Sequence, residues 1–474
     1  LVVALEALPT VSAFRYNDSN FSDYANGDLG HDDVIEVASY MLTHSDPLRR
    51  VLGQKYPFIF VDEAQDTQEH VVVALNTLCN RSGLPIVGYF GDPMQQIYDK
   101  RAGEFNGPPG SLRIPKEENF RSSRAVIDLL NAFRTDIKQF PGGDNADVEG
   151  SVLFRLIQTE NPEAPRNRYT EEQVERASKK LDDALASWGW ESENDVKHLY
   201  LVRQMIARRL GFTVLHNCFT GDHSSSRSQE AYETGEHFLL KPISICLYQL
   251  VRAYREKNER AALDVLRHHS PAFDPEGANA KRSIADMVAT ARAQWAELSR
   301  LWDTATVGEV LRYSQQHQLC RISERLAENL DRAPHHVAYD EDVHGSEIKG
   351  EWLADQFFQM KLLEIERFCE YIAENTVFST QHGVKGEEYP KVVVVFDDIG
   401  SGWHHYSFSK TLTPQTSGSP TEGQQRLSSK LAYVCFSRAK RDLRIVFFTP
   451  DARRATEELI ARKIVLPSQV EVIM

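Results

Sequence analysis

"FIFVDEAQDT", residues 58–67, sets Phe58, Ile59, Phe60 and Val61 directly against Asp62, Glu63, Gln65, Asp66 and Thr67, with only Ala64 between. The first part has the β-branched and aromatic character of a strand. An apolar run without alternation suits a strand buried on both faces, hence a parallel sheet covered by helices. In open parallel sheets, ligands sit beyond the carboxyl ends of the strands. Asp62 and Glu63 fall there. Magnesium takes hard oxygen ligands, often one carboxylate, and a neighbouring carboxylate can deprotonate a water. A solvated strand-to-helix turn with a capping Asp uses the same residue types. The stretch by itself leaves both readings open.

The next apolar run repeats the arrangement. In "LPIVGYFGDPMQQIYDKR" (84–101), Gly91 and Pro93 shape a turn that carries Asp92, Gln95 and Gln96. A Gln near a γ-phosphate can sense it and position water; Gly-Asp-Pro is also an ordinary turn. Further β-rich apolar runs occur at 151–157, 197–202, 391–396 and 443–449, with helical patterns at 67–80, 123–138 and 171–189. Residues 33–50 have a helix-like pattern as well. From about 240 to 375 the periodicity is mostly helical, and strand patterns return after 376. The Gly/Ser/Thr/Pro-rich segment 400–425 predicts a surface loop.

The bulk properties narrow the class. A chain of 474 residues implies two or three domains. With 41% hydrophobic and 26% charged residues, the composition is that of a globular protein. The net charge of −14 weighs mildly against nucleic acid, although a basic groove can sit on an acidic protein. The six cysteines form no C-x-x-C pair and fit a reducing cytoplasm. No apolar run approaches membrane-spanning length.

Taken in order, "VDEAQDT" (61–67), "GDPMQQIY" (91–98), "ENFRSS" (118–123), "STQHGVKGEEYPKVVVV" (379–395) and "LAYVCFSRAKRDLRIVF" (431–447) resemble motifs II to VI of the UvrD/Rep/PcrA family of superfamily-one helicases. The resemblance covers nearly the whole chain. It implies an α/β fold with two RecA-like parallel-sheet domains, the first incomplete, and a mostly α-helical domain inserted in the second. The expected boundaries are 1–115 for the first domain, 116–239 and 376–474 for the two parts of the second, and 240–375 for the insertion.

The resemblance also implies roles. Asp62 would bind Mg²⁺ and Glu63 would be the general base for ATP hydrolysis. Gln95 would contact the γ-phosphate and couple it to DNA. Phe120 would stack on adenine, and Arg121 would reach the γ-phosphate. Glu388 would lie near the ribose, and Arg438 would be the arginine finger. Tyr98 would stack on bases, while His382 and Arg203 would lie near the DNA backbone. Taken alone, Arg438 reads as a surface arginine, Tyr98 as a half-buried core tyrosine and His382 as a structural histidine. The physics agrees with the phosphate roles, because planar guanidinium groups suit phosphate oxygens and phosphoryl transfer is mainly positioning and charge stabilisation.

Some positions depart from the family pattern. Lys100 stands where a second aromatic is usual, Ala102-Gly103 reverses the usual Gly-Ala, Glu387 replaces a Leu and Ser437 a Thr. No G-x-x-x-x-G-K-[ST] phosphate loop occurs in the sequence. In the family it lies N-terminal to motif II, and the chain starts at Leu1 rather than Met, so a truncated N-terminus is expected. The expected function is an ATP-dependent 3′→5′ helicase or translocase on single-stranded DNA, or on duplex DNA with a single-stranded tail. A nuclease subunit is a candidate partner. Helicase subunits of anti-phage systems are similar in outline, and DNA repair is equally open. The competing class is a hydrolysis-deficient regulatory subunit that binds nucleotide or DNA.

Overall fold

The structure is a computed structural model. It describes residues 11–17, 22–79, 85–96, 105–108, 110–163, 169–190, 193, 195–200, 203–274, 277, 282–345, 348–373, 378–380, 386–399 and 406–474. The chain forms two compact units, one made of residues 1–199 and 381–474, the other of 200–380.

The first unit contains a large sheet and three two-stranded parallel ones, of which Arg15–Tyr16 with Asp28–Leu29 and Glu118–Asn119 with Phe140–Pro141 are two-residue pairings; the third bears on the site. This small sheet pairs Phe58–Val61 with Ile86–Tyr89 in parallel, Phe60 lying opposite Gly88. Helix Glu69–Cys79 covers it with Val72, Ala74 and Leu78 buried. The opposite face is open: Phe58 is 61% exposed, Phe60 67% and Ile86 63%. This corrects the expectation of a strand buried on both faces. Two strands and one covering helix can shield only one side. Phe60 and Phe90 meet edge to face over Gly88, where a Cβ would crowd both rings. The helical pattern at 33–50 is also divided. Helices His31–His44 and Asp46–Lys55 meet at Ser45, whose hydroxyl accepts from Leu48 N and caps the second, with a Pro in its first turn.

Within this unit the larger sheet runs in the order Val470–Ile473, Ser151–Gln158, Ala439–Thr449, Tyr389–Phe396, Val196–Tyr200. The pairs from Val470–Ile473 through Tyr389–Phe396 are parallel. Helices Arg124–Ala132, Glu171–Ala186, Glu422–Phe436 and Ala452–Ala461 pack on it. Consequently Val392, Val393, Val394 and Val395 are fully buried, as are Leu443 and Ile445. Phe436 touches Phe133, Phe154 and Phe396 edge to face.

The surface loop expected at 400–425 is corrected in its described part, 406–425. Short helices Phe408–Leu412 and Pro414–Ser417 lie there. Phe408 is buried against Phe396 with ring centroids 4.1 Å apart. Glu458 accepts from Gln415 N, Thr416 N and Thr416 Oγ1, each at 2.8 Å. Buried acceptors let a Ser/Thr/Pro-rich stretch fold onto the sheet unit.

The second unit is helical and begins at residue 200, inside the span 116–239 assigned to the second sheet domain from sequence. Its first helices are Arg203–Leu210, Thr213–Thr220 and Ser226–Glu233. Its core is aromatic: Tyr232 stacks between Phe219 and Phe368, and Phe357 meets Phe219 edge to face. Among the described residues, no helix is long and apolar enough to cross a membrane.

Candidate functional site

The turn after Phe58–Val61 is held in an unusual conformation. Glu63 has φ 49° and ψ 41°, the left-handed region, although it is not glycine. Such residues are uncommon, and backbone strain of this kind clusters at functional sites. Glu63 N donates to Asp62 Oδ1 at 2.9 Å, and both carboxylates face solvent. Behind them Gln65 is buried, donating from Nε2 to Glu63 Oε2 at 2.5 Å and accepting at Oε1 from Asp92 N at 3.1 Å. Ala64 N donates to Phe90 O at 2.9 Å. The two polar turns are thus stitched together. Gly91 is required where they meet, because a Cβ would collide with Gln65 Oε1 and crowd Ala64 N.

The second turn carries Gln95 in the short helix Pro93–Gln95, which Asp92 caps by accepting from Met94 N at 3.0 Å. Gln95 Oε1 accepts from Arg438 Nη2 at 3.1 Å. Arg438 is only 1% exposed. Its Nε donates to Val434 O and its Nη1 to Glu387 O, both at 3.0 Å; Nη2 also donates to Ser437 Oγ at 2.8 Å. Burial lowers the guanidinium pKa to about 10, with Arg121 pushing the same way and Cys435 and Glu63 opposing. Arg438 therefore remains charged at neutral pH and feels the Glu63 carboxylate.

Arg121 sits on the same side. Asn119 Oδ1 accepts from Arg121 N at 2.9 Å and Ser122 N at 3.0 Å. Ser122 Oγ donates to Ala439 O at 3.0 Å and Ser123 N to Lys440 O at 2.7 Å, lashing this turn to the start of strand Ala439–Thr449. Arg121 Nε donates to Glu388 Oε2 at 2.7 Å, and Lys440 Nζ lies 2.5 Å from Glu388 Oε1. The Lys440 hydrogen bond, against burial and with Arg121 adding to it, holds the Glu388 carboxyl below its ordinary range. Phe120 is more than half exposed, its ring lying against Gly142 and Gly143. Glycine there leaves room for the ring and, at Gly143, allows φ +58°.

Glu63, Gln95, Arg121, Glu388 and Arg438, distant in sequence, thus converge in one unit, with Asp62 beside Glu63 and Phe120 beside Arg121. The reading of Arg438 as a surface arginine is excluded by its burial. Arg203 lies in the helical unit, with its guanidinium 5.9 Å from the Tyr371 ring centroid and 3.7 Å from Glu233. Tyr98, His382, Lys100 and Ala102-Gly103 lie outside the described residues. Sequence reading missed the bridging role of Gln65, although the residue stood in the opening motif. It also missed Arg134, which holds Asp92, Asp136 and Tyr433 together. Nothing local marks Arg134, because Asp92 and Tyr433 lie far away in the chain.

Residues 14–107 match the family described as UvrD/REP helicase N-terminal domain. Over that segment the chain is similar to the UvrD/REP helicases. It is 24% identical over 463 residues to the Gabija protein GajB of Bacillus cereus, covering 88% of this chain and 62% of that protein. It is 32% identical over 113 residues to the RecBCD enzyme subunit RecB of Mycolicibacterium smegmatis, covering 22% of this chain and 10% of that one. To the ATP-dependent DNA helicase PcrA of Leuconostoc citreum it is 26% identical over 147 residues, covering 28% and 19%. The chain spans less than two thirds of the length of each of these relatives. The UvrD-like match includes the whole of the small sheet and both of its polar turns.

Proposed function

We propose that this chain belongs to an ATP-driven DNA translocase and helicase in which two RecA-like domains clamp one nucleotide. The observation that carries the reading is the Gln95–Arg438 hydrogen bond beside Glu63. It joins the polar turns of the small sheet to the arginines at the foot of the large one. Glu63 takes the proton of the attacking water. Arg121 and Arg438 stabilise charge on the transferred phosphoryl group, and Phe120 stacks on adenine with Glu388 toward the ribose. Arg438 reaches a phosphate by exchanging Gln95 Oε1 and Glu387 O for phosphate oxygens. That exchange links hydrolysis to movement of the turn carrying Gln95. Asp62, an exposed carboxylate at a strand end, fits the hard oxygen set that Mg²⁺ prefers. Mg²⁺ would supply charge neutralisation at the phosphates.

Single-stranded DNA, with Tyr98 as a base platform and His382 and Arg203 toward the backbone, is the proposed track. Movement is 3′→5′ by analogy with the resemblance. The proposed setting is DNA repair or anti-phage defence with a nuclease subunit as partner, a reading that the likenesses to RecB, PcrA and GajB support. The free thiols among the described residues suit the reducing cytoplasm. The second reading, a hydrolysis-deficient nucleotide- or DNA-binding subunit, is favoured by one observation: the sequence holds no G-x-x-x-x-G-K-[ST]. The deciding experiment measures ATP turnover with and without single-stranded DNA, and strand separation on duplexes with 3′ or 5′ tails, for the protein carrying this chain. DNA-stimulated turnover with separation from 3′ tails supports the motor. Nucleotide or DNA binding without turnover supports the regulatory subunit.

A further inference from the structure

We infer that Arg134 is a positioning residue that fixes Gln95 and Arg438 relative to each other, an assignment that rests on the ATP-hydrolysis reading of the site. Arg134 follows helix Arg124–Ala132, where the last carbonyls favour a cation. Its side chain is only 2% exposed. A guanidinium has five N–H donors, and here each has an acceptor. Nε and Nη2 form a fork on Asp136 at 2.9 and 2.8 Å. Nη1 and Nη2 form a second fork on Asp92 at 3.1 and 3.2 Å. The remaining Nη1 hydrogen goes to the Tyr433 hydroxyl at 2.6 Å.

The Asp136 fork is local and would anchor the side chain by itself. The other two contacts reach both ends of the Gln95–Arg438 hydrogen bond. Asp92 caps the turn carrying Gln95 and accepts from Gln95 Nε2 at 3.5 Å. Tyr433 is buried on helix Glu422–Phe436, which leads directly into Ser437 and Arg438. Arg134, Asp92, Gln95, Arg438 and Tyr433 therefore close a ring. Burial opposes the Arg134 charge, but the hydrogen bond to Asp136, with Tyr433 and the Asp92 carboxylate, outweighs it and raises its pKa. A displacement of Asp92 is passed to Gln95 and from there to the arginine that would face the phosphate.

The test is Arg134→Lys in the full-length protein carrying this chain, since an ammonium cannot form two planar forks. The kcat for DNA-stimulated ATP hydrolysis should fall roughly 10–100-fold, the scale of a misplaced catalytic group, with KM for ATP nearly unchanged. In a Gln95→Ala background the same substitution should cost little more, because the group being positioned is already gone. Normal kcat, or a loss that multiplies fully with that of Gln95→Ala, overturns the inference. Should Arg134→Lys fold poorly, Asp92→Asn serves instead: Oδ1 keeps the cap on Met94, while an amide NH2 replaces the oxygen that accepts from Arg134 and from Gln95 Nε2, so the ring opens at Asp92. Hydrogen exchange at 92–96 and 433–438 gives a readout that needs no turnover. If the wild-type protein hydrolyses no ATP, the motor reading falls, and unchanged exchange at 92–96 in Arg134→Lys overturns the positioning role separately. Faster exchange there supports it.

Discussion

Strands Phe58–Val61 and Tyr389–Phe396 look alike in sequence and differ sharply in the fold. Both are β-rich apolar runs, and both lead into paired acidic residues, Asp62-Glu63 and Asp397-Asp398. The second lies inside the large sheet with helices packed on it, and Val392–Val395 are wholly buried. The first has a single partner strand, and its two phenylalanines face solvent. The use of the carboxylates differs too. Asp398 is consumed by capping: it accepts from Phe408 N at 3.2 Å and Ser409 N at 2.7 Å. Asp62 and Glu63 stay exposed, on a strained backbone, within the electrostatic reach of Arg438. An acidic pair at a strand end is a cap where the following chain folds back onto it, and a candidate catalytic pair where the turn is held away.

The largest effect should come from the residue that joins the two sheets. In the full-length protein, Arg438→Ala should cut kcat for ATP by about 10³–10⁵, the range for arginine fingers, with single-strand DNA affinity retained. Arg438→Lys should rescue poorly. Near-normal ATPase of Arg438→Ala would break the link between the sheets. Next, Glu63→Gln should lower turnover by roughly 10²–10⁴ while ATP still binds. Asp398→Asn, at the matching position of the large sheet, should leave kcat intact, because its carboxylate works as a cap. Equal kinetic losses from Glu63→Gln and Asp398→Asn would remove the distinction between the two acidic pairs.

How much of this was legible follows from where each residue's partners lie. The acidic turn at 62–63 was legible because the composition changes abruptly within one local segment. Gln95, Arg121 and Arg438 were found through motif resemblance, and the structure brings them together. Arg134 was silent, because its meaning depends on Asp92 and Tyr433, which only the fold makes neighbours. The exposure of Phe58 and Phe60 was not readable either, since an apolar run has the same pattern whether or not further elements cover it. Segment 406–417 misled for the opposite reason. Its Ser, Thr and Pro content signals a loop, but Asp398 and Glu458 supply the acceptors that let it pack.

In the well-covered sheet, Val394→Ala should destabilise the sheet unit by about 2 kcal/mol. It deletes fully buried methyl groups from a site hemmed in on both faces, where collapse is limited. A urea midpoint shift without a change of slope is the expected observation. A negligible shift would mean that the large sheet relaxes around the cavity.

The smallest effect is expected at Phe60, and it tests the other half of the comparison. A fully buried phenylalanine truncated to a small residue costs about 3–5 kcal/mol. Phe60 is 67% exposed, so most of its surface gains nothing from folding. What it does contribute is cover for Gly88, its cross-strand neighbour, and an edge-to-face contact with Phe90 at 5.8 Å. Cross-strand pairs of this kind contribute roughly 0.2–1 kcal/mol. Phe60→Ser in residues 1–474 should therefore shift the urea midpoint less than Val394→Ala does. A loss of about 3–5 kcal/mol would show that the open face is covered in solution, and the two strands would then differ in sequence position but not in burial.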